Sequence, residues 1–194
     1  MSKRTYSSEL REAQAEATRT KILDALVDVL AEGVETLSVP AVAERAGVSV
    51  GTVYRHFGDK SGMLDALVPH AQTRTGIEID STPESFGDMR EALGQVFRHF
   101  ENADDVLRAA FTSRIGREVR IGGSAERLQL MKDAFQELAP NLEPEELEHV
   151  AKLGLILTTS EAYQQWKDRL GLSPEEAADE VMWAIETLIK RTLS

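Results

Sequence analysis

The sequence predicts an all-α protein in two parts. Apolar residues recur at helical spacing almost throughout, no stretch alternates convincingly with period two, and capping residues punctuate the chain. From Thr18 to Glu32, Ile22, Leu26, Val29 and Leu30 make one stripe, closed by Gly33. A short second helix starts on Ser38, tolerates Pro40 in its first turn, shares Val39, Val42, Ala43 and Ala46 on one face, and ends at Gly47. Ser49 starts a third helix of about eight residues, and Asp59 caps a fourth containing Leu64, Leu67, Val68 and Ala71. The junction between the parts is "GIEIDSTPESFGD", with Pro83 at a helix start. Beyond it Phe86, Met89, Leu93, Val96, Phe97 and Phe100 trace an amphipathic helix. Another covers about 103–115, and Leu128, Met131, Phe135 and Leu138 mark the next. Two long helices, about 144–170 and 174–192, close the chain, the last opened by a capping box of Ser173 and Glu176. That makes about nine helices, with no internal repeat.

Composition narrows the possibilities. A chain of 194 residues is long enough for a full hydrophobic core, in one domain or two small ones. There is no cysteine, so disulfides and thiolate chemistry are excluded. The start, "MSKRTYSSELREAQAEA", lacks the apolar core of a signal peptide, and the apolar run "LGLIL" is far too short to span a bilayer. The expectation is a cytoplasmic protein with no membrane partner. A net charge of −11 argues against nucleic acid at first sight, yet residues 1–70 carry a net of only −2 and residues 71–194 carry −9. His70, His99 and His149 lie far apart in sequence, without metal-ligand spacing or paired carboxylates around them. The chain also lacks a Walker A motif and a dinucleotide fingerprint. The reading is no enzyme, no cofactor and no metal.

The stretch "AGVSVGTVYRHFGDK", residues 46–60, is the most informative. On a helical wheel Val53 and Phe57 point one way, while Gly51, Thr52 and Arg55 point the other, flanked by Tyr54 and His56. Two apolar anchors thus hold a short helix that presents small and hydrogen-bonding residues outward. Helix, glycine-containing turn, helix is the helix-turn-helix arrangement, whose second helix lies in the DNA major groove. Gly51 lets a backbone come close, Thr52, Tyr54 and His56 reach phosphate oxygens, Arg55 reads a base or clamps, and Lys60 faces the backbone. Two short helices around a glycine turn also occur in helical domains that never meet DNA, so the wheel alone leaves both readings open.

Residues 18–68, "TRTKILDALVDVLAEGVETLSVPAVAERAGVSVGTVYRHFGDKSGMLDALV", resemble the N-terminal domain of the TetR family of bacterial transcriptional regulators. The amphipathic first helix, the "AGVS-GT-Y-HF--K" core and the "LDAL" that follows carry the resemblance. The rest of the chain matches only in helix order and length. The resemblance implies a two-fold dimer, each subunit bearing a three-helix DNA-binding head on a helical ligand domain, with the last two helices forming a four-helix interface. It implies phosphate contacts from Ser38, Thr52, Tyr54, His56 and Lys60, and base-edge contacts near Val50, Gly51 and Arg55, with Ser49 opening the helix that bears them. Pro40 departs from the pattern, lying where several relatives carry a basic base-reading residue, which leaves the third helix as the main reader. Lys3 and Arg4 are either a minor-groove arm or a solvated tail.

Domain boundaries are expected at residues 1–60 for the arm and DNA-binding domain and 61–194 for the effector and dimerisation domain. The apolar faces of the three helices around Phe97 and Phe100, Met131 and Phe135, and Leu155 are expected to wall an effector cavity. The alternatives for Thr158, Thr159 and Tyr163 are that cavity or plain dimer packing. Trp166, Val181, Ala184, Ile185 and Leu188 are assigned to a dimer interface. Residues 108–132 hold Arg108, Arg114, Arg117, Arg120, Arg127 and Lys132 against only Glu118 and Glu126. This basic island either binds an anionic effector, such as an acyl-coenzyme A, or pairs with acidic helices. The resulting expectation is a homodimeric, ligand-responsive repressor that binds a palindromic operator and is released by a small hydrophobic or acyl-type effector. The alternative is a helical dimeric adaptor or structural protein without DNA or effector activity.

Overall fold

Side-chain oxygens decide where many of the helices begin. Ser38 accepts the Ala41 N–H at 3.4 Å, Ser49 that of Thr52 at 3.1 Å, Asp59 that of Gly62 at 2.9 Å and Asp104 that of Leu107 at 2.8 Å. Each satisfies a donor that a helix N-terminus otherwise leaves open. The computed structural model describes residues 3–76 and 83–192, and among these it contains twelve α-helices and no strand. They are α1 (Lys3–Ala31), α2 (Val39–Ala46), α3 (Val50–Phe57), α4 (Lys60–Asp65), α5 (Leu67–Thr75), α6 (Phe86–Asn102), α7 (Asp105–Thr112), α8 (Arg114–Gly122), α9 (Ser124–Leu138), α10 (Pro144–Leu157), α11 (Ser160–Leu170) and α12 (Pro174–Thr192).

The all-helical class and the order of elements agree with the sequence reading; three expected helices are subdivided. The fourth breaks at Ala66, because Pro69 has no N–H and its ring would collide with the carbonyl four residues back in a continuous helix. Pro69 instead sits in the first turn of α5. The stretch expected near 103–115 gives α7 and α8, separated at Ser113, whose hydroxyl donates to the Ala110 carbonyl at 2.6 Å and accepts the Gly116 N–H at 3.1 Å. The long helix expected over 144–170 stops at Thr158. That hydroxyl bonds back to the Gly154 carbonyl at 2.8 Å, and Thr159 caps α11 by accepting the Ala162 N–H at 3.1 Å. The first helix also starts well before Thr18. Residues 9–17 are exposed throughout and carry no apolar stripe, so only the helix propensity of their Ala, Glu, Gln and Arg signals it. The side chains of Lys3 and Arg4, and junction residues 77–82, lie outside the described residues.

The chain divides into two compact units. The first comprises the residues up to Arg74 together with Asp104–Ile121, the second Thr75–Ala103 with the residues from Gly122 on. In the first, Ile22, Leu26 and Leu30 of α1 are fully buried and share a core with Val42 of α2, Val53 of α3, Met63 of α4 and Leu67 of α5. In the second, α12 packs along α6 and α10 along α9. Phe97, Phe135, Tyr163, Val181, Met182 and Ile185 form its core. No helix among the described residues is long and apolar enough to cross a membrane.

Candidate nucleic-acid interface

The turn between α2 and α3 is built by three residues. Gly47 ends α2 in the left-handed conformation, at φ 62°, where a side chain would be strained, and its N–H returns to carbonyls of the last turn. Ser49 then caps α3, and its hydroxyl lies 2.9 Å from that of Thr52. Val53 and Phe57 are buried, so the opposite face of α3 turns outward. Gly51, Tyr54 and Arg55 are exposed, and Val50, Thr52 and His56 half-buried. Ser38 at the start of α2 and Lys60 at the start of α4 are exposed as well. The structure therefore places the predicted α3 residues on one short helix and leaves them reachable.

Gly51 is the exception that needs explaining. It is the second residue of α3, and in a helix glycine is less favourable than alanine, by about 1 kcal/mol in an interior and by less in a first turn. Its φ is not positive, and a Cβ there would meet only Ser49 Oγ, at 3.8 Å. Nothing inside the fold requires a glycine.

One α1 residue also reaches this helix without any local signal in the sequence. Arg19 donates from Nη1 to the His56 carbonyl at 3.4 Å, and its guanidinium carbon lies 4.6 Å from the centroid of the Phe57 ring. These contacts join positions far apart in sequence, so no periodicity could have marked them.

The residues assigned to an effector pocket gather in the second unit. Phe97 and Phe135 are fully buried, Tyr163 nearly so, and the Phe97 and Tyr163 rings stack at 4.9 Å. Phe100 and Met131 pack against them, and Leu155 is half-buried on α10. Thr158 and Thr159 bond carbonyls of α10, at 2.8 and 2.9 Å. The Tyr163 hydroxyl has no partner at hydrogen-bonding distance; burial first, then the negative charge of Glu101, pushes it up to about 12. Glu101 itself is held below its usual range by its bond to Lys167, at 2.8 Å.

Of the residues assigned to a dimer face, Val181 and Ile185 are spent in the core of their own unit. Trp166 and Ala184 are half-buried, and Leu188 is exposed. The large apolar side chains turned outward on α10 and α12 are Leu153, Ile156, Trp183 and Leu188. The basic stretch of residues 108–132 is shared between the two units. Arg114 pairs with Glu118 at 2.6 Å and also bonds the Glu35 carbonyl, while Lys132 pairs with Glu148.

Comparison with known proteins converges on the head. Residues 22–67 match the family model described as bacterial regulatory proteins, tetR family. The chain is 40% identical over 73 residues to the HTH-type transcriptional regulator SrpR of Pseudomonas putida, covering 37% of this chain and 33% of that protein. It is 26% identical over 147 residues to the uncharacterized HTH-type regulator YvkB of Bacillus subtilis, covering 75% and 74%. The match to SrpR spans a third of that relative's length, and the match to TtgW of the same species spans 53%. Over 90% of its length the fold resembles NalD of Pseudomonas aeruginosa, with a TM-score of 0.63, 19% identity and 96% of NalD covered. NalD is described as the secondary repressor of the MexAB-OprM multidrug efflux pump. A helix-turn-helix head whose sequence matches the family model identifies residues 22–67 as a DNA-binding domain of the tetR family of bacterial regulatory proteins, carried on an all-α chain with the fold of NalD.

Proposed function

We propose that the protein is a homodimeric repressor that binds a palindromic DNA operator through α3 and is released by a small hydrophobic or acyl-type effector. The observation that carries the DNA-binding part is Gly51. An exposed glycine in the first turn of α3 that no neighbour demands is accounted for by a backbone approaching from outside, as when α3 lies in a major groove. Around it Thr52, Tyr54, His56, Lys60 and Ser38 supply phosphate donors, while Val50 and Arg55 face base edges beside the Ser49 cap. Two half-sites about 34 Å apart would match a two-fold dimer. The repressor assignment draws on NalD, which shares the fold.

The effector is proposed to enter between α6, α9, α10 and α11, separating the stacked Phe97 and Tyr163 and giving the Tyr163 hydroxyl the partner it lacks. Release then follows from differential binding of effector to the DNA-competent and DNA-incompetent states, with a typical coupling of about 1–3 kcal/mol. Mobility shift with the duplex upstream of the gene encoding this chain tests the reading. Tight, salt-dependent binding to that duplex over an unrelated one of equal length is expected. Equal affinity for both would refute an operator-binding role.

A further inference from the structure

We infer that Arg19 of α1 is a positioning residue for DNA recognition, fixing the tilt of α3 from its C-terminal end; the inference rests on the DNA-binding reading above. α3 is weakly held for a helix that must place several side chains accurately. It has eight residues and buries only Val53 and Phe57. A helix of that length is about 12 Å long, so a tilt of about 5° carries its end about 1 Å, enough to spoil a hydrogen bond.

Its N-terminal end is defined by the turn and the Ser49 cap, and its C-terminal end differently. The Tyr54 carbonyl accepts the Gly58 N–H at 2.8 Å and the Phe57 carbonyl that of Asp59 at 2.9 Å, which are contacts to the next few residues of the chain. Arg19 comes from another helix. One planar guanidinium lies over the Phe57 ring and donates to the His56 carbonyl, so it fixes both the apolar anchor and the polar end. A cation there also meets the negative end of the α3 backbone dipoles. Lysine carries the charge but lacks the planar fork that makes both contacts at once. A direct phosphate contact suits Arg19 poorly. It lines a groove of about 590 Å³ whose walls set Glu16, Asp24 and Asp28 against Arg74 and His70, with Asp24 paired to both, so the groove has no cationic excess to draw a phosphate.

The experiment compares wild type, Arg19→Lys and Arg19→Met on the upstream duplex and on an unrelated duplex of equal length, across a salt series. Arg19→Met should bind the upstream duplex roughly tenfold more weakly, with the unrelated duplex and the salt slope unchanged and Arg19→Lys intermediate. Equal weakening on both duplexes with a shallower slope would make Arg19 a phosphate contact and overturn the inference. So would unchanged binding to both. A DNA-free arm separates this from the reading beneath it: amide exchange at Phe57 and Gly58 should accelerate in Arg19→Met, and the stability effects of Arg19→Met and Phe57→Leu should be non-additive. If wild type binds neither duplex, the operator reading falls. Unchanged exchange in Arg19→Met would then refute the hold on α3 by itself.

Discussion

A Cβ added at Gly51 would touch only the Ser49 hydroxyl, at 3.8 Å, so alanine is accommodated by the folded head without strain. The expected outcome of Gly51→Ala is opposite signs in two measurements. Thermal unfolding should show a small gain, below the roughly 1 kcal/mol of a helix interior, while affinity for the upstream duplex falls because a methyl group now stands where a DNA backbone is proposed to approach. A gain in stability with unchanged affinity would remove Gly51 from the contact surface. Lys60 makes a different demand. It is exposed at the first position of α4, outside the helix proposed to read bases, where a flexible point charge suits a phosphate. Lys60→Ala should weaken binding to every duplex alike and reduce the slope of log K against log salt by about one phosphate contact, readable by fluorescence anisotropy over a salt series. The exposure of Gly51 was legible in the sequence, because it follows from the spacing of the two buried anchors of α3, and the place of Lys60 follows from the Asp59 cap beside it. Arg19 was not, since a contact between α1 and the end of α3 exists only after folding.

At the scale of elements, the starts of α2, α3 and α4 were legible because a cap is local chemistry: Ser38, Ser49 and Asp59 lie next to the helices they open. Breaks inside apolar stripes were harder. The pattern through Leu64, Leu67, Val68 and Ala71 continues across Ala66, and the pattern of α10 runs toward α11, so periodicity alone joins what Pro69 and the Thr158–Thr159 hydroxyls separate. The packing of α10 on α9 gives this level its own test. Gly154 is buried on α10, and a Cβ there would lie 2.9 Å from Cε2 of Phe135, a ring with no exposed surface. Propensity alone would make Gly154→Ala stabilising by about 1 kcal/mol. Overpacking against a ring that cannot swing into solvent should outweigh it, giving a net loss of about 1–3 kcal/mol in urea denaturation. A more stable variant would mean that α9 and α10 are separable enough to admit a ligand without rearranging Phe135.

For the molecule as a whole, a helical stripe says that a face is buried but not what buries it. Val181 and Ile185 satisfy the periodicity expected of a subunit interface, yet the second unit consumes both in its own core against α6. What α12 offers outward is Trp183, 65% exposed, and Leu188, 39%; α10 adds Ile156 at 64% and Leu153 at 44%. Single exposed apolar residues are ordinary, but four large ones on these two helices fit a surface that a second copy covers. The acidic net charge of the chain opposes self-association at long range, so burial of these side chains must supply the attraction. Trp183 provides the signal. Its indole is in water in a single chain, and burial on association should move its emission to shorter wavelength as concentration rises. The wild type is expected to elute as a dimer at micromolar concentration, with an interface near the roughly 2,000 Å² of obligate pairs. Trp183→Glu combined with Ile156→Glu should elute as a monomer of unchanged helicity, because neither side chain belongs to a core, and should bind a single half-site no more weakly than wild type while losing the two-site operator. Ile185→Glu should instead unfold the second unit, since it buries an unpaired charge. A wild type that stays monomeric at these concentrations, with Trp183 emission independent of dilution, would rule out the dimer and with it the simultaneous use of two half-sites.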